Sequence, residues 1–388
     1  MPIRNRLSEM HADITEWRRD FHMHPEVLYE TERTAAVVAD KLRAFGCDEV
    51  VTGIGRTGVV GLIRGKTYTS GKVVGLRADM DALPIFEATG KDYASTTPGK
   101  MHACGHDGHT AMLLGAAQYL AETRNFDGRV VLIFQPAEEG GGGGNVMVQE
   151  GLMDRWGIDE VYGMHNMPGH PTGQFAIREG ALLAAADEFA ITLTGQGGHA
   201  AAPHEAVDTN LAAAHVMIAL QSIASRNTDP LKQVVVSVCT LRSDTDSHNV
   251  LPHQVLLRGT VRTLDPEVQD LAERRLHDLT RLTAEAHQCR AEIDYQRGYP
   301  VTRNHADQTR FAAEAADKVT PGTDRDTPPI MAGEDFSYML NARPGAYIMI
   351  GNGEGATVHH PEYDFDDAAI PAGCSWFAQV VEDRLARA

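Results

Sequence analysis

The first part of the chain alternates short apolar runs with amphipathic segments. Runs that fit β-strands occupy residues 59–64, 73–79, 130–135 and 161–165. Segments with apolar residues at helical spacing occupy 31–44, 111–122 and 146–150, and the same alternation resumes after about residue 297. Strands that alternate with helices predict a mainly parallel sheet covered on both faces, which is an α/β fold.

A different pattern occupies residues 187–296. Phe189, Ile191 and Leu193 alternate with less apolar positions, which indicates a half-buried strand. A helical segment at 208–226, strand-like runs at 234–241 and 255–264, a helical segment at 266–287 and a last strand at 291–295 follow. This β-α-β-β-α-β order predicts a ferredoxin-like α+β domain. We therefore expect a discontinuous α/β domain of residues 1–186 and 297–388, with residues 187–296 inserted as a second domain.

Composition narrows the classes of partner. The 388 residues are 43% hydrophobic and 23% charged, which is typical of a globular protein. The 35 basic and 53 acidic residues leave a net charge of −18, so we expect no nucleic-acid partner and no membrane partner. We see no apolar run near the roughly 20 residues of a membrane helix and no apolar core of a signal peptide. Five scattered cysteines favour reduced thiols and a cytoplasmic location.

Metal-binding residue types gather in a few segments. The stretch MHACGHDGHT, residues 101–110, places Cys104, His106 and His109 within six residues. Other candidates follow predicted strands: Asp81, Glu138, Glu139, His165 and, beyond the last strand, His359. Because the carboxyl ends of parallel strands meet at one edge of a sheet, these groups can share one crevice. Thiolate, imidazole and carboxylate ligands together favour a zinc-like divalent ion.

Each residue also has a structural interpretation. A lone cysteine such as Cys104 is usually core packing, and a glutamate pair such as Glu138 and Glu139 usually lies on a solvated surface. Here Cys104 lies in a loop flanked by glycines, and the glutamate pair directly follows an apolar strand and a proline. The joint arrangement, more than any single residue, favours a metal centre.

Several motifs together resemble one family. They are LRADMDALP (76–84), MHACGHDGHT (101–110), FQPAEEGGGG (134–143), MHN (164–166), GGHAAAPHEAVD (197–208), GEDFS (333–337) and HHPEYDFDD (359–367). In this order they resemble the M20D peptidase-like amidohydrolases, a group that includes hippurate hydrolase and auxin-conjugate hydrolases. The resemblance covers nearly the whole chain. It implies metal-dependent hydrolysis of the amide bond of N-acyl-L-amino acids, with a dipeptidase as the alternative.

The resemblance also implies a dinuclear metal centre. Cys104 matches the ligand that bridges two divalent ions per subunit, with Zn, Mn, Co and Ni all compatible. Glu139 and His359 would complete one metal site, and His106 and His165 would complete the other. Glu138 matches the general base that acts on a water activated by the two metals.

Further roles implied by the resemblance fall largely on the inserted domain. His199 matches a histidine that reaches the active site of the partner subunit. This implies a homodimer or a dimer-based homo-oligomer, and a lid or dimerisation role for this domain. Asn249, Arg262 and Gly333 lie where relatives contact the substrate. Asp81 matches a residue that orients a metal-bound histidine.

Two other classes of protein stay open at this point. Cys104 could be the nucleophile of a cysteine hydrolase, although the glutamate pair would then have no task. The cluster could also belong to a non-enzymatic metal-binding or ligand-binding protein. A closed structural site uses all its ligands, so the spare carboxylate of Glu138 argues against that class.

Overall fold

The computed structural model describes residues 5–387. The first four residues and the last residue of the predicted first domain, 1–4 and 388, lie outside the described residues. The strands are β1 Glu49–Ile54, β2 Gly58–Arg64, β3 Val73–Asp79, β4 Arg129–Gln135, β5 Glu160–Met167, β6 Phe175–Ala176, β7 Gly180–Leu183, β8 Ala185–Thr194, β9 Gly198–His199, β10 Val234–Ser243, β11 Val250–Leu251, β12 Gln254–Thr263, β13 Arg290–Tyr299, β14 Thr302–Asn304 and β15 Gly345–Gly351. The helices are α1 Asn5–Glu9, α2 His11–Met23, α3 Glu32–Ala44, α4 His106–Thr123, α5 Gly143–Gln149, α6 Leu152–Arg155, α7 Thr209–Leu220, α8 Pro266–Ala286, α9 Ala306–Val319, α10 Phe336–Ala342 and α11 Ile370–Arg384.

These elements form two compact units. The first contains the described residues through Gly180, then Arg303–Pro328, and those from Asp335 onward. The second contains Ala181–Thr302 and the short segment Pro329–Glu334. The sequence placed the boundaries at residues 186/187 and 296/297, within six residues of the breaks after Gly180 and Thr302. The sequence pattern did not predict that residues 329–334 belong to the second unit.

A seven-stranded sheet in the order β1-β2-β4-β3-β5-β15-β6 organises the first unit. The four central strands β4, β3, β5 and β15 are parallel. Strands β2 and β6 pair antiparallel with β4 and β15, and β1 pairs antiparallel with β2. All seven residues of β3 and of β15 are buried, as expected for strands covered on both faces. The predicted α/β fold is therefore confirmed, with antiparallel margins that the alternation of elements did not predict. The edge strand β1 was not predicted, and none of its residues is fully buried.

Helix α4 lies within the core of this unit. Its residues from His106 to Ala117 are all buried, so it is enclosed on every side and shows no amphipathic stripe. Small residues allow this close packing: a Cβ at Gly115 would lie 2.6 Å from Ile14 Cδ1 and 2.7 Å from Cys374 Sγ. The first turn of this buried helix carries His106, so the core itself fixes that histidine.

The second unit contains an antiparallel sheet in the order β10-β12-β8-β13, packed against α7 and α8. Strand β8 alternates buried and partly exposed residues as predicted, and the ferredoxin-like architecture is present. The helix predicted at 208–226 differs, because α7 ends at Leu220 and a π-helical turn follows at Ile223–Asn227. Ser222 Oγ donates to the Ala219 carbonyl at 2.6 Å and Ser225 Oγ to the Gln221 carbonyl at 2.9 Å. Such hydroxyl donors compete for helical carbonyls and disturb the regular pattern.

A search of residues 5–387 finds no helix with the length and hydropathy needed to cross a bilayer.

Arg77 links three elements of the first unit, and its removal should destabilise that unit. Its guanidinium donates to Asp79 at 2.6 Å, to Gln135 at 2.9 Å and to Asp335 at 3.0 Å, and the Arg77, Asp79 and Asp335 side chains are all fully buried. Arg77→Met would leave two buried carboxylates without this cation, so the free energy of unfolding should fall by about 3–5 kcal/mol.

Urea unfolding followed by tryptophan fluorescence measures this loss, because Trp17, Trp156 and Trp376 all belong to the first unit. Arg64→Met is the matched control, since Arg64 lies exposed at the end of the neighbouring strand β2. Equal midpoints for the two variants would contradict the stabilising role of Arg77.

Candidate metal centre

The carboxyl ends of the central strands bring the predicted ligands together. Strand β3 leads to Asp81, β4 leads to Glu138 and Glu139, and β5 contains His165 near its end. His359 lies in the loop after β15, where its main-chain N–H donates to the Ala103 carbonyl at 2.7 Å. The sheet therefore places four separate chain segments around the loop that carries the cysteine.

Two groups of potential ligands share Cys104. One contains Cys104, His106 and His165, and the other contains Cys104, Glu139 and His359. Within each group, the candidate ligand atoms lie within 4.8 Å of one another. Cys104 Sγ is 3.3 Å from His165 Nε2, and His359 Nε2 is 3.2 Å from Glu139 Oε1. The two groups correspond to the two sites that the family resemblance implied.

Hydrogen bonds orient the imidazoles of the buried His106 and the partly buried His165. His106 Nδ1 lies 2.8 Å from the Asp81 carbonyl, and His165 Nδ1 lies 2.7 Å from the Asn166 carbonyl. Since a carbonyl only accepts, each Nδ1 carries the proton and donates it. In the neutral form of each ring, Nε2 therefore carries the lone pair, and His106 Nε2 is buried without a hydrogen-bond partner. This arrangement suits metal coordination through both Nε2 atoms.

The electrostatic surroundings suit a cation. Burial and then the Glu139, Glu138 and Asp79 carboxylates raise the pKa of the Cys104 thiol well above its ordinary value. Burial lowers the pKa of His106, but neighbouring carboxylates, Asp79 first, outweigh it and raise the value to about 10. Cys104 and His106 therefore hold their protons strongly, and a metal ion would have to replace those protons. Metal affinity should rise with pH as the two groups lose them. Burial also keeps His165 neutral, with its pKa lowered to about 3.

Asp81 orders the glutamate pair. Its carboxylate accepts the main-chain N–H of Glu138 at 2.8 Å and that of Glu139 at 3.1 Å. Its contact with His106 goes through the main-chain carbonyl, because the carboxylate lies 3.6 Å from His106 Nδ1. Asp81 was expected to orient a histidine, and the structure adds a second task that its motif did not reveal.

The glutamates themselves differ in their contacts. The Glu138 and Glu139 side chains lie 8% and 11% exposed, and each has a carboxylate oxygen 4.0 Å from His106 Nε2. Burial opposes ionisation of Glu139, but the hydrogen bond with His359 and the charge of His106 lower its pKa overall. The preceding residue Ala137 has φ of +55°, and His359 has φ of +66°. Both are uncommon for residues with a Cβ, and such main-chain strain is concentrated at functional sites.

Sequence reasoning missed a layer of buried polar residues behind the ligands. The family resemblance gave no role to His109, yet its Nδ1 lies 2.6 Å from Asp79 Oδ1 and its Nε2 accepts the Asn166 main-chain N–H at 3.0 Å. Asp335 accepts the Gly144 N–H at 2.8 Å and so holds the glycine run that follows the glutamates. His109, Asn166 and Asp335 belong to the CGHDGH, MHN and GEDFS motifs. Their hydrogen-bond partners are distant in sequence, so the motifs alone did not reveal these contacts.

The remaining candidates belong to the second unit. His199 and Asn249 border a cavity of about 470 Å³, and His199 pairs with Val250 across β9 and β11. The exposed His199 ring accepts the Ala201 N–H on Nδ1 at 3.0 Å, which places its proton on Nε2. Arg262 lies on β12, and a Cβ at Gly333 would be 3.5 Å from its Nη1. The unit thus forms two pairs of candidates, His199 with Asn249 and Arg262 with Gly333.

Known proteins resemble this chain in sequence and in fold. The family model described as Peptidase family M20/M25/M40 matches residues 75–383. The hippurate hydrolase of Campylobacter jejuni is 38% identical over 376 residues, which is 96% of this chain and 97% of that protein. The N-acetyl-L-cysteine deacetylase of Bacillus subtilis is also 38% identical, over 94% of this chain and 86% of the relative.

A solved structure extends the similarity to three dimensions. The YXEP protein of Bacillus subtilis, described as a dinuclear metal-binding peptidase from the M20 family, is 31% identical. The superposition has a TM-score of 0.84 and covers 97% of this chain and 99% of that one.

Thiol reactivity should separate a metal-ligand cysteine from a nucleophile. In metal-free protein near neutral pH, iodoacetamide should modify Cys239 before Cys104, because Cys239 is exposed whereas Cys104 is buried with a raised pKa. Peptide mass spectrometry over time measures the order.

The control is Cys239→Ser, which removes the fast site and should leave amide hydrolysis unchanged. Rapid modification of Cys104, with loss of activity that substrate prevents, would instead support a cysteine nucleophile.

Proposed function

Because the chain belongs to peptidase family M20/M25/M40 and is an enzyme that acts on amide bonds, we propose that it hydrolyses N-acyl-L-amino acids to a carboxylate and a free amino acid. The observation that carries this proposal is the shared position of Cys104 between two ligand groups, with Glu138 buried beside them. Two of its relatives are named as a hippurate hydrolase and an N-acetyl-L-cysteine deacetylase, both of which cleave an acyl group from an amino acid. A dipeptidase with the same residues is the alternative.

The residues present fit two divalent metal ions. Cys104 would be held in common, His106 and His165 would bind one ion, and Glu139 and His359 the other. The fit rests on the Nε2 atoms of His106 and His165, whose Nδ1 atoms are hydrogen-bonded to main-chain carbonyls, and on the excess of buried carboxylates. When bound, such ions polarise a carbonyl and lower the pKa of water. The sulfur, nitrogen and oxygen donors are compatible with Zn, Mn, Co or Ni.

Glu138 is the proposed general base. Its neighbour Glu139 contacts His359, whereas the carboxylate of Glu138 is held beside the ligand cluster by the Asp81 bond to its main chain. From this position Glu138 accepts a proton from the attacking water and delivers it to the amide nitrogen as the C–N bond breaks. Amine leaving groups require this second transfer, because an amide anion is too basic to depart.

His199 and the substrate contacts of the second unit complete the proposal. The Nε2–H of His199 is a suitable donor to the oxyanion that forms on the amide carbonyl. Arg262 is suited to the α-carboxylate of the substrate, because its planar guanidinium matches a carboxylate. Asn249 and Gly333 are proposed to contact the same substrate.

Assembly and location follow the family resemblance. We expect a homodimer in which His199 serves the active site of the partner subunit, with the second unit as the lid and dimerisation domain. All five cysteines are free, which supports a cytoplasmic location.

A substrate panel tests the proposed function. Purified protein of defined metal content should cleave hippurate or N-acetyl-amino acids faster than dipeptides, and chelation should abolish turnover. The methyl ester of a cleaved substrate should show a sharply raised KM, because it lacks the carboxylate proposed to bind Arg262. Dipeptides cleaved fastest would favour the alternative, and equal turnover of acid and ester would exclude the carboxylate anchor.

The two adjacent glutamates should fail in different ways when each is changed to glutamine. Glu138→Gln should keep both metals and lower kcat by about 10²–10⁴-fold, as expected for loss of a general base. Glu139→Gln should lower the metal content measured by elemental analysis. Each variant is the control for the other, and the opposite pattern would mean that the roles are exchanged.

Complementation tests whether His199 acts in trans. His199→Ala and Glu138→Gln should each be nearly inactive, but mixed dimers should contain one intact site. Random reassortment makes half of the dimers mixed, so roughly a quarter of wild-type activity should return under a two-fold interface. Native mass spectrometry confirms mixing, and mixed dimers without activity would exclude action in trans.

A further inference from the structure

We propose that Asn166 is a positioning residue that joins the Cys104–His106 turn and His165 into one rigid ligand unit. Asn166 follows His165 in β5 and is 3% exposed. Its side-chain amide contacts the main chain of the turn, and its own main chain contacts the histidine. The inference rests on the metal centre of the proposed function and assigns a residue that binds neither metal nor substrate.

All polar atoms of the Asn166 amide have defined partners. Nδ2 donates to the Cys104 carbonyl at 2.6 Å and lies 3.2 Å from His109 Nε2, and Oδ1 accepts the Tyr363 hydroxyl at 2.8 Å. The Cys104 carbonyl only accepts, so the amide nitrogen must face it. The orientation of the side chain is therefore fixed by chemistry as well as by shape.

His109 holds the main chain of Asn166 through a hydrogen bond. Its Nε2 accepts the Asn166 main-chain N–H at 3.0 Å, so Nε2 carries no proton and Nδ1 donates to Asp79 at 2.6 Å. Asp79 also accepts a bond from Arg77 at 2.6 Å. The result is a buried series from Arg77 through Asp79, His109 and Asn166 to Cys104, in which every donor and acceptor has a defined role. A fully satisfied buried network of this kind is rigid.

The turn between the two ligands lies directly on this amide. Gly105 has φ of +85°, and a Cβ there would lie 2.4 Å from Asn166 Nδ2 and 2.5 Å from Tyr363 Oη. Only glycine allows both the conformation and the contact. This close approach fixes the distance between the main chain of the Cys104–His106 turn and strand β5.

Asn166 also fixes the neighbouring ligand. Its main-chain carbonyl accepts the Nδ1–H of His165 at 2.7 Å, which leaves His165 Nε2 facing Cys104 Sγ at 3.3 Å. One residue therefore sets the cysteine through its side chain and the histidine through its main chain. Residues that hold metal ligands in this way typically change metal affinity 10–100-fold when mutated.

The test compares Asn166→Leu with Asn304→Leu. Leucine has nearly the shape of asparagine and both side chains are uncharged, so the net charge around the ligands is unchanged. Asn304 is a matched control in the same unit: it is 2% exposed, and its amide bonds the main chain of Arg178 and Tyr347 at 2.6–3.0 Å. Both changes remove a buried amide and should lower the midpoint of unfolding.

Cobalt binding provides a readout that stability alone does not change. In protein loaded with Co²⁺, coordination by the Cys104 thiolate gives a sulfur-to-metal charge-transfer band. Asn166→Leu should weaken Co²⁺ binding about 10–100-fold and shift or remove this band, whereas Asn304→Leu should keep both. Equal affinities and identical spectra in the two variants would overturn the proposal.

A milder variant covers failure of Asn166→Leu to fold. Tyr363→Phe removes only the hydroxyl that donates to Asn166 Oδ1, and it should weaken Co²⁺ binding roughly three- to tenfold. An unchanged affinity and spectrum in this variant would also overturn the proposal. The readout is independent of substrate, so failure of wild-type protein to cleave N-acyl-amino acids would contradict the proposed function and leave this test intact.

Discussion

Buried negative charge at one edge of the seven-stranded sheet is the constraint on which the site depends. Asp79, Asp81 and Glu138 are 0%, 1% and 7% exposed, and all lie where parallel strands end. Arg77 forms ion pairs with both Asp79 and Asp335. Burial of the negative charges of Asp81 and Glu138 is costly in free energy without a further cation. Burial, together with this negative charge, raises the pKa of Cys104, and for His106 the same charge outweighs burial and raises the pKa. A site with this charge favours metal ions over protons once the ligands ionise, and it disfavours a free thiolate.

The main chain supports this concentration of charge. Asp81 and Asp335 use their carboxylates to hold main-chain N–H groups in the loop of Glu138 and Glu139 and in the glycine run after it. Ala137 and His359 adopt positive φ angles beside the ligands. Strained conformations persist where surrounding contacts over-determine them. The loops of the site are therefore ordered by the same carboxylates that create its charge.

The two units contribute different chemistry to the proposed reaction. The first concentrates soft and anionic ligands around Cys104 and a carboxylate suited to move protons. The second offers donors: the Nε2–H of His199 and the guanidinium of Arg262, which lies close to Gly333.

The sequence alone determined the α/β class, the inserted ferredoxin-like pattern and the set of candidate ligands. Those features depend on local periodicity and on residue type, as the alternation in β8 and the CGH and AEE motifs illustrate. Tertiary structure decided which atoms face the site. Asp81 holds the glutamate loop, His109 is fixed between Asp79 and Asn166, and residues 329–334 pack with the second unit. These arrangements join segments that are tens to hundreds of residues apart, and no local pattern specifies them. They arise because buried donors and acceptors must find partners once the strands assemble, and only the assembled sheet brings those partners within reach.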